Sequence, residues 1–469
     1  MRVVHVSAEV HPFAMTGGLG GVAGSLPQAL AAAGHETAVI APYYSRRIRQ
    51  AVEWLSGEWR TWTGESFGVA SARLPGGVPV YFVAEESLFG REGYYGPSEF
   101  EAYPDNALRF SFFCRAAAAL IGSTGPWDVV HCHDWHSGLV PPMLDFIGGP
   151  PAVFTIHNLA FQGRFDAALY PVTGLPPGMF SVEGLEFYGD FSFMKGGIVY
   201  SRAVTTVSPG YAREIQLPSG GCGLDGVLRS RSQVLFGILN GIDTDLWGPE
   251  DDPLIAAPYA ASSLRRKLLC RDALVAETCL DAPRRIPLAA VVSRLTPQKG
   301  MDLLAAGAAG PAGRGEMALV VLGSGERWIE DSISALAADN PGRVFFRTGW
   351  DEDLSHRLFA GSDIFLMPSR FEPCGLTQMI AMRYGSLPVA RRTGGLADTV
   401  ADMRSRGTGF LFDGDSPADL EEALSRAIDA FIDRRAWRSA MRRGMARDDS
   451  WASRMPAYEE VYAKAADRR

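Results

Sequence analysis

The stretch Pro287-Leu288-Ala289-Ala290-Val291-Val292-Ser293-Arg294-Leu295-Thr296-Pro297-Gln298-Lys299-Gly300 decides the fold. Its first six residues are apolar and short enough for a buried strand, and the rest is a Pro-containing turn that leads into a helical pattern. The unit then repeats. Strand candidates follow at 319–323, 344–347, 364–367 and 387–390. An earlier series occupies 3–7, 37–41, 80–83, 128–131, 153–157, 204–207 and 234–239. Short apolar runs alternating with longer helical patterns predict parallel sheets covered by helices, and two series predict two doubly wound α/β domains.

At 469 residues the chain is about three times the length of a common domain, which suits two large lobes. Turn chemistry at Leu239-Asn240-Gly241-Ile242-Asp243 suggests the boundary, giving an amino-terminal domain over 1–237 and a second over 238–450. The segment 451–469 reads largely as an amphipathic helix with Trp451, Met455, Tyr458, Val461 and Tyr462 on one broad face. Pro456 falls at a break or in its first turn.

Composition excludes several classes. A hydrophobic share of 47% with 21% charged residues is that of a globular protein. The 45 Lys+Arg against 53 Asp+Glu leave a net charge of −8, with no basic block of the kind that releases phosphate counterions, so nucleic acid is not an expected partner. No apolar run reaches the roughly 18 residues of a membrane span, and Met1-Arg2-Val3-Val4 opens a strand where a signal peptide would need a longer apolar core. Six scattered cysteines without a C-x-x-C pair read as reduced thiols, and the expectation is a cytoplasmic protein.

Four loops carry chemistry-bearing residues. The first, Met15-Thr16-Gly17-Gly18-Leu19-Gly20-Gly21, lies between a strand and a helix, so its backbone is open to a diphosphate or a sugar at Gly17 and Gly18. A dinucleotide fold would place an acid near the end of the second strand, which here ends Ala41-Pro42-Tyr43-Tyr44. Thr393-Gly394-Gly395-Leu396 echoes that loop in the second half and invites the same anion reading. The second loop, His131-Cys132-His133-Asp134-Trp135-His136, follows a strand, and His157-Asn158 closes the next one. Its His-x-His-x-x-His spacing raises zinc, but the sequence specifies no full ligand set, and no metal is expected. Asp134 and His157 stand at strand exits, where α/β ligands sit.

In the third loop Arg294 and Lys299 flank the turn and can converge on a diphosphate, a planar fork beside a mobile point charge. The fourth is Pro368-Ser369-Arg370-Phe371-Glu372-Pro373-Cys374-Gly375-Leu376-Thr377-Gln378. Glu372 suits a neutral polyol better than a phosphate, while Gly375, Leu376 and the Thr377 hydroxyl suit the phosphate beside it. Cys374 reads as a small wall residue.

Together with His5-Val6-Ser7-Ala8-Glu9, Phe154-Thr155-Ile156-His157-Asn158, Asn240-Gly241-Ile242-Asp243 and Arg391-Arg392-Thr393-Gly394-Gly395-Leu396-Ala397-Asp398-Thr399-Val400, these segments resemble the bacterial glycogen synthase and starch synthase family, glycosyltransferase family 5. The resemblance runs over the whole chain. It implies the GT-B architecture, two Rossmann-like domains facing across a cleft with the last helix returning to the first. It also implies a retaining transfer of glucose from ADP-glucose, or less often UDP-glucose, to the non-reducing end of an α-1,4-glucan. The nucleotide sugar is a co-substrate and no cofactor is implied. By that resemblance Arg294 and Lys299 hold the donor diphosphate, Glu372 bonds the glucose hydroxyls, His157 lies near the anomeric centre and Asp134 orients the reacting sugars. Trp350 stands where the family puts an aromatic ring on the nucleobase.

Two departures stand out. The family's first glycine loop reads Lys-Thr-Gly-Gly-Leu-Ala-Asp-Val, and Met15 and Gly21 replace its cation and acid. A lost charged contact is worth about 1.5–3 kcal/mol, which opens the alternative of a weakly active or inactive glucan-binding paralogue.

Overall fold

The computed structural model describes residues 1–98 and 101–467. It divides into two compact units, Met1–Gly241 joined by the carboxyl-terminal segment from Trp451, and Ile242–Ser450.

The second unit is built on a six-stranded sheet ordered Val344–Thr348, Ala318–Gly323, Leu288–Val292, Ile364–Met367, Leu387–Arg391 and Phe410–Phe412. Every neighbouring pair is parallel. The strands are short apolar runs because both faces are covered: Leu288–Val292 and Ala318–Gly323 are buried at every position. In chain order the sheet reads 3-2-1-4-5-6, so the direction of winding reverses between Leu288–Val292 and Ile364–Met367.

The first unit has the same plan. Its ten-stranded sheet runs Leu235–Gly237, Ala203–Thr206, Ala152–Ile156, Val129–His133, Arg2–Val6, Glu36–Pro42, Pro79–Ala84, Ser66–Arg73 and Glu53–Trp54, with Trp59–Arg60 paired to Ser66–Arg73 off that path. The pairings from Leu235–Gly237 to Pro79–Ala84 are parallel, while Ser66–Arg73 returns antiparallel. Winding reverses between Arg2–Val6 and Val129–His133. A separate three-stranded sheet holds Glu186–Phe187, Asp190–Ser192 and Arg164–Asp166. All twelve strands expected from the apolar runs are present. The antiparallel edge, the small sheet and Phe410–Phe412 were not expected.

The last helix, Met455–Ala466, carries Pro456 in its first turn, where a missing N–H costs nothing. Its apolar face, Met455, Tyr458, Val461, Tyr462 and Ala465, joins Val3, Val129, Val153 and Ala203 of the first unit's sheet and Val22, Leu26 and Leu30 of the helix Gly18–Ala32. Each of the larger of these side chains contributes about 1.5–3 kcal/mol by leaving water. Among the described residues no helix is long and apolar enough to cross a membrane.

Tyr458 is 1% exposed in this layer. Tyr458→Ala should cost about 3–5 kcal/mol. In thermal unfolding the transition should fall by several degrees, and a midpoint within one degree of the parent would show that this helix adds little.

Candidate active site

In parallel α/β sheets ligands sit beyond the strand ends where the winding reverses. In the second unit that position brings together the loops after Leu288–Val292 and Ile364–Met367. Gly300 closes the first loop with φ +67, and a Cβ there would come 1.9 Å from the Pro368 carbonyl, so only glycine permits the approach. Arg370 then clamps the two loops. Its amide donates to the Gln298 carbonyl at 2.9 Å, its guanidinium donates to the Pro297 carbonyl at 2.7 Å, and it forks onto Asp302 at 2.6 and 2.8 Å.

The clamp sets the reactive pair. Lys299 Nζ donates to Glu372 Oε2 at 2.6 Å, and Ser369 Oγ donates to the same oxygen at 3.0 Å. Glu372 is buried and Lys299 is about a fifth exposed, so the carboxylate is fixed while the ammonium still meets solvent. An ammonium has three protons, and this contact uses one. A cavity of about 140 Å³ is lined by Val292, Ser293, Arg294, Lys299, Met301, Leu366, Met367, Ser369, Glu372 and Thr377. Arg294, Lys299, Glu372 and Thr377, singled out from sequence, thus share one wall. Sequence places Lys299 on the phosphate and Glu372 on the sugar, and only the fold brings them into contact.

Gly375 takes φ +71 just before the helix Thr377–Arg383, and Leu376 is that helix's cap. Neither lines the cavity. Trp350, 70% exposed, lies outside it as well, after the strand Val344–Thr348. The echoed Thr393-Gly394-Gly395 turn opens the helix Gly394–Thr399 and packs against the Glu372 loop. The Gly395 amide donates to the Glu372 carbonyl at 3.0 Å, and a Cβ on Gly395 would come 2.1 Å from the Cys374 carbonyl. This turn buttresses the Glu372 loop.

In the first unit the reversal point joins the loops after Arg2–Val6 and Val129–His133. Asp134 stands there with φ 56, a left-handed backbone that a non-glycine residue adopts at a cost. Its Oδ1 accepts from the His157 amide at 2.8 Å and the Asn158 amide at 3.3 Å, which ties the exits of two neighbouring strands. Burial pushes the Asp134 carboxyl up to about 7, against those amide bonds and with a smaller push from Glu9.

Glu9 and Tyr95 were not assigned roles from sequence. Glu9 is buried, and its two oxygens accept from the Thr16 amide at 2.6 Å, the Thr16 hydroxyl at 2.7 Å and the Tyr95 hydroxyl at 2.5 Å. The signal was position: Glu9 lies just past the strand Arg2–Val6, at the reversal. Its grip on Thr16 orients the Gly17–Gly18 turn that caps the helix Gly18–Ala32, and the space around a Cβ at Gly17 or Gly18 is empty to 4 Å. Met15 beside it is 46% exposed.

His157 is half-buried, and its Nε2 contacts His133 Nδ1 at 3.0 Å. His5, His131 and His133 bring one ring nitrogen each within 4.8 Å of one another, close enough for a metal. Their chemistry argues otherwise. His131 spends both nitrogens on the Tyr462 and Thr155 hydroxyls, His133 spends both on His157 and His5, and no carboxylate among the described residues joins the buried group to balance a dication.

Two Rossmann-like sheets, each with its polar residues at the reversal of winding, define a glycosyltransferase of the GT-B class. Residues 2–230 match the starch synthase catalytic domain family, and residues 281–444 match the glycosyl transferases group 1 family. The chain is 45% identical to a glycogen synthase of Anaeromyxobacter sp. (strain Fw109-5), covering 99% of this chain and 100% of the relative. It is 43% identical to glycogen synthase 2 of Geobacter sulfurreducens over the full length of both. Among solved structures it is similar to the catalytic domain of starch synthase IV from Arabidopsis thaliana bound to ADP and acarbose, with TM-score 0.91, 35% identity and 99% coverage of each chain. Sucrose-phosphate synthase from Thermosynechococcus elongatus shares the fold at TM-score 0.64 and 17% identity, covering 99% of this chain and 98% of that one. The chain belongs to the glycogen synthase and starch synthase family.

The raised Asp134 carboxyl has a thermodynamic signature. From about pH 4 to about pH 7 the folded chain keeps a proton that the unfolded chain has lost, so this group's contribution lowers stability as pH rises. Asp134→Asn carries no such penalty. Its unfolding midpoint relative to the parent should climb across that interval and then level off, and a pH-independent difference would contradict the assignment.

Proposed function

We propose that the chain is a retaining α-1,4-glucosyltransferase that takes glucose from ADP-glucose, with UDP-glucose the alternative donor, and adds it to the non-reducing end of a glycogen-type glucan. The observation that carries this reading is the shared wall of Arg294, Lys299 and Glu372. Two cations there suit a diphosphate, and a buried carboxylate bonded to one of them suits the hydroxyls of the attached sugar. ADP is favoured because the similar starch synthase IV structure contains it.

In the proposed transfer the bond from the anomeric carbon to the phosphate oxygen breaks, and its electron pair stays on the diphosphate. Arg294 and the two remaining Lys299 protons stabilise that growing charge, each in a setting with less water than bulk solvent. The acceptor's 4-hydroxyl attacks from the face the phosphate leaves and gives its proton to a departing phosphate oxygen, which accounts for retention without a covalent intermediate. A retaining hydrolase would need two carboxyls about 5 Å apart, one of them a nucleophile. Here Glu372 is committed to Lys299 and Ser369 instead.

The remaining roles follow. Thr377 takes a phosphate oxygen beside Gly375 and Leu376, Trp350 offers its exposed ring to the base, and His157 and Asp134 meet the sugars. Gly17 and Gly18 leave open backbone for the donor. Nothing supports the glucan-binding alternative raised by Met15 and Gly21: the residues proposed for the chemistry are all present, and the full-length relatives are named glycogen synthases.

Purified protein given glycogen and labelled ADP-glucose or UDP-glucose should lengthen α-1,4 chains, and no incorporation from either donor would overturn the proposal. Arg294→Ala should lower kcat by about a hundredfold or more if that cation meets the leaving group. Met15→Lys should lower the donor KM if the missing cation is felt, and an unchanged KM would show that the loop works without it.

A further inference from the structure

A line of imidazoles runs from the proposed sugar site into the first unit's core. His157 Nε2 contacts His133 Nδ1 at 3.0 Å, and His133 Nε2 contacts His5 Nδ1 at 3.0 Å. His5 and His133 are fully buried, on the paired strands Arg2–Val6 and Val129–His133. Their rings are nearly parallel, at 14°. Burial lowers the pKa of each ring, to about 3 for His5 and His157 and well below the ordinary range for His133, so all three are neutral at physiological pH.

A neutral imidazole has one N–H and one bare nitrogen. That rule locks the line. If His133 carries its proton on Nδ1, it donates to His157 Nε2, which must be bare, and its own Nε2 must accept from His5 Nδ1–H. If it carries the proton on Nε2, all three rings carry it on Nε2. The line therefore has two states, all Nδ1–H or all Nε2–H, and no mixture keeps both hydrogen bonds.

The buried end selects between them. His5 Nε2 is enclosed and has no hydrogen-bond partner in the protein. The all-Nε2–H state would strand an N–H there, the rarer defect in folded proteins, whereas the all-Nδ1–H state leaves only an unused lone pair. At the other end His157 Nδ1 makes no hydrogen bond to the described residues and is left for the site.

We propose that His133, in a line closed by His5, is a positioning residue that fixes His157 in its Nδ1–H tautomer, so that it presents an N–H donor to an oxygen of the bound sugar. The use of that donor rests on the proposed function, but the tautomer itself does not. His131 stands beside the line with its ring 4.2 Å from His133, held by Tyr462 and Thr155, and walls it in without joining it.

Full-length protein labelled with ¹⁵N-histidine and assigned by single substitutions tests this directly. Long-range proton–nitrogen correlation should find His5, His133 and His157 all protonated on Nδ1 and unchanged across neutral pH. His133→Phe should release the lock, giving His157 a mixed or Nε2–H signal and lowering kcat about five- to tenfold, the scale of one hydrogen bond, whereas His5→Phe leaves His133 Nε2 as the enclosed end and by the same rule should keep His157 Nδ1–H. Should His133→Phe not fold, the wild-type tautomers decide by themselves. A wild-type His157 protonated on Nε2, or a His157 signal unmoved in folded His133→Phe, overturns the lock. Expected tautomers with full activity in His157→Ala would instead overturn the sugar contact, leaving the lock itself intact.

Discussion

Everything proposed for the donor side depends on one pairing, the parallel contact of Leu288–Val292 with Ile364–Met367 where the sheet reverses its winding. Two loops separated by some seventy residues of sequence leave the sheet side by side there, where the crossovers diverge. Gly300 lets one loop press against Pro368, and Arg370 ties the pair through Asp302. Lys299 and Glu372 then meet because their loops have no other place to go. The first unit obeys the same constraint. Its reversal between Arg2–Val6 and Val129–His133 gathers Glu9, Asp134 and, one strand further, His157.

The Lys299–Glu372 contact also explains how a carboxylate can sit in a site for an anionic substrate. A buried carboxylate alone would repel a diphosphate and would be costly to desolvate, whereas one already bonded to an ammonium and a serine hydroxyl is largely neutralised. Removing either partner strands the other's charge, so the pair behaves as one element. Asp134 is the contrasting case. It has hydrogen bonds from two amides but no cation, its backbone is left-handed and its carboxyl resists ionisation. Such strain persists when the surrounding fold overdetermines it, and it clusters where chemistry is done.

Much of this was legible in the sequence because buried parallel strands announce themselves as unbroken apolar runs, as at Ala318–Gly323. Ser66–Arg73 was not legible: it is an antiparallel return strand near the sheet edge, small and half-polar, with a glycine in it. Phe410–Phe412 is simply too short. Among site residues, Arg294, Lys299 and Glu372 stood out because cations and an acid in turns after apolar strands are conspicuous. Glu9 sat in plain view, but its partner Tyr95 lies 86 residues away, and only the fold joins them. The repeated Thr-Gly-Gly-Leu string opens a helix in both places, Gly18–Ala32 and Gly394–Thr399, and only the fold shows that the second copy also bonds the Glu372 loop.

The most direct measurement is a crystal structure of the protein with an intact nucleotide-sugar donor or a non-hydrolysable analogue. The account requires diphosphate oxygens within hydrogen-bonding distance of both Arg294 and Lys299, with Glu372 accepting from hydroxyls of the sugar. A diphosphate bound away from these two cations, with the sugar remote from Glu372, would contradict it.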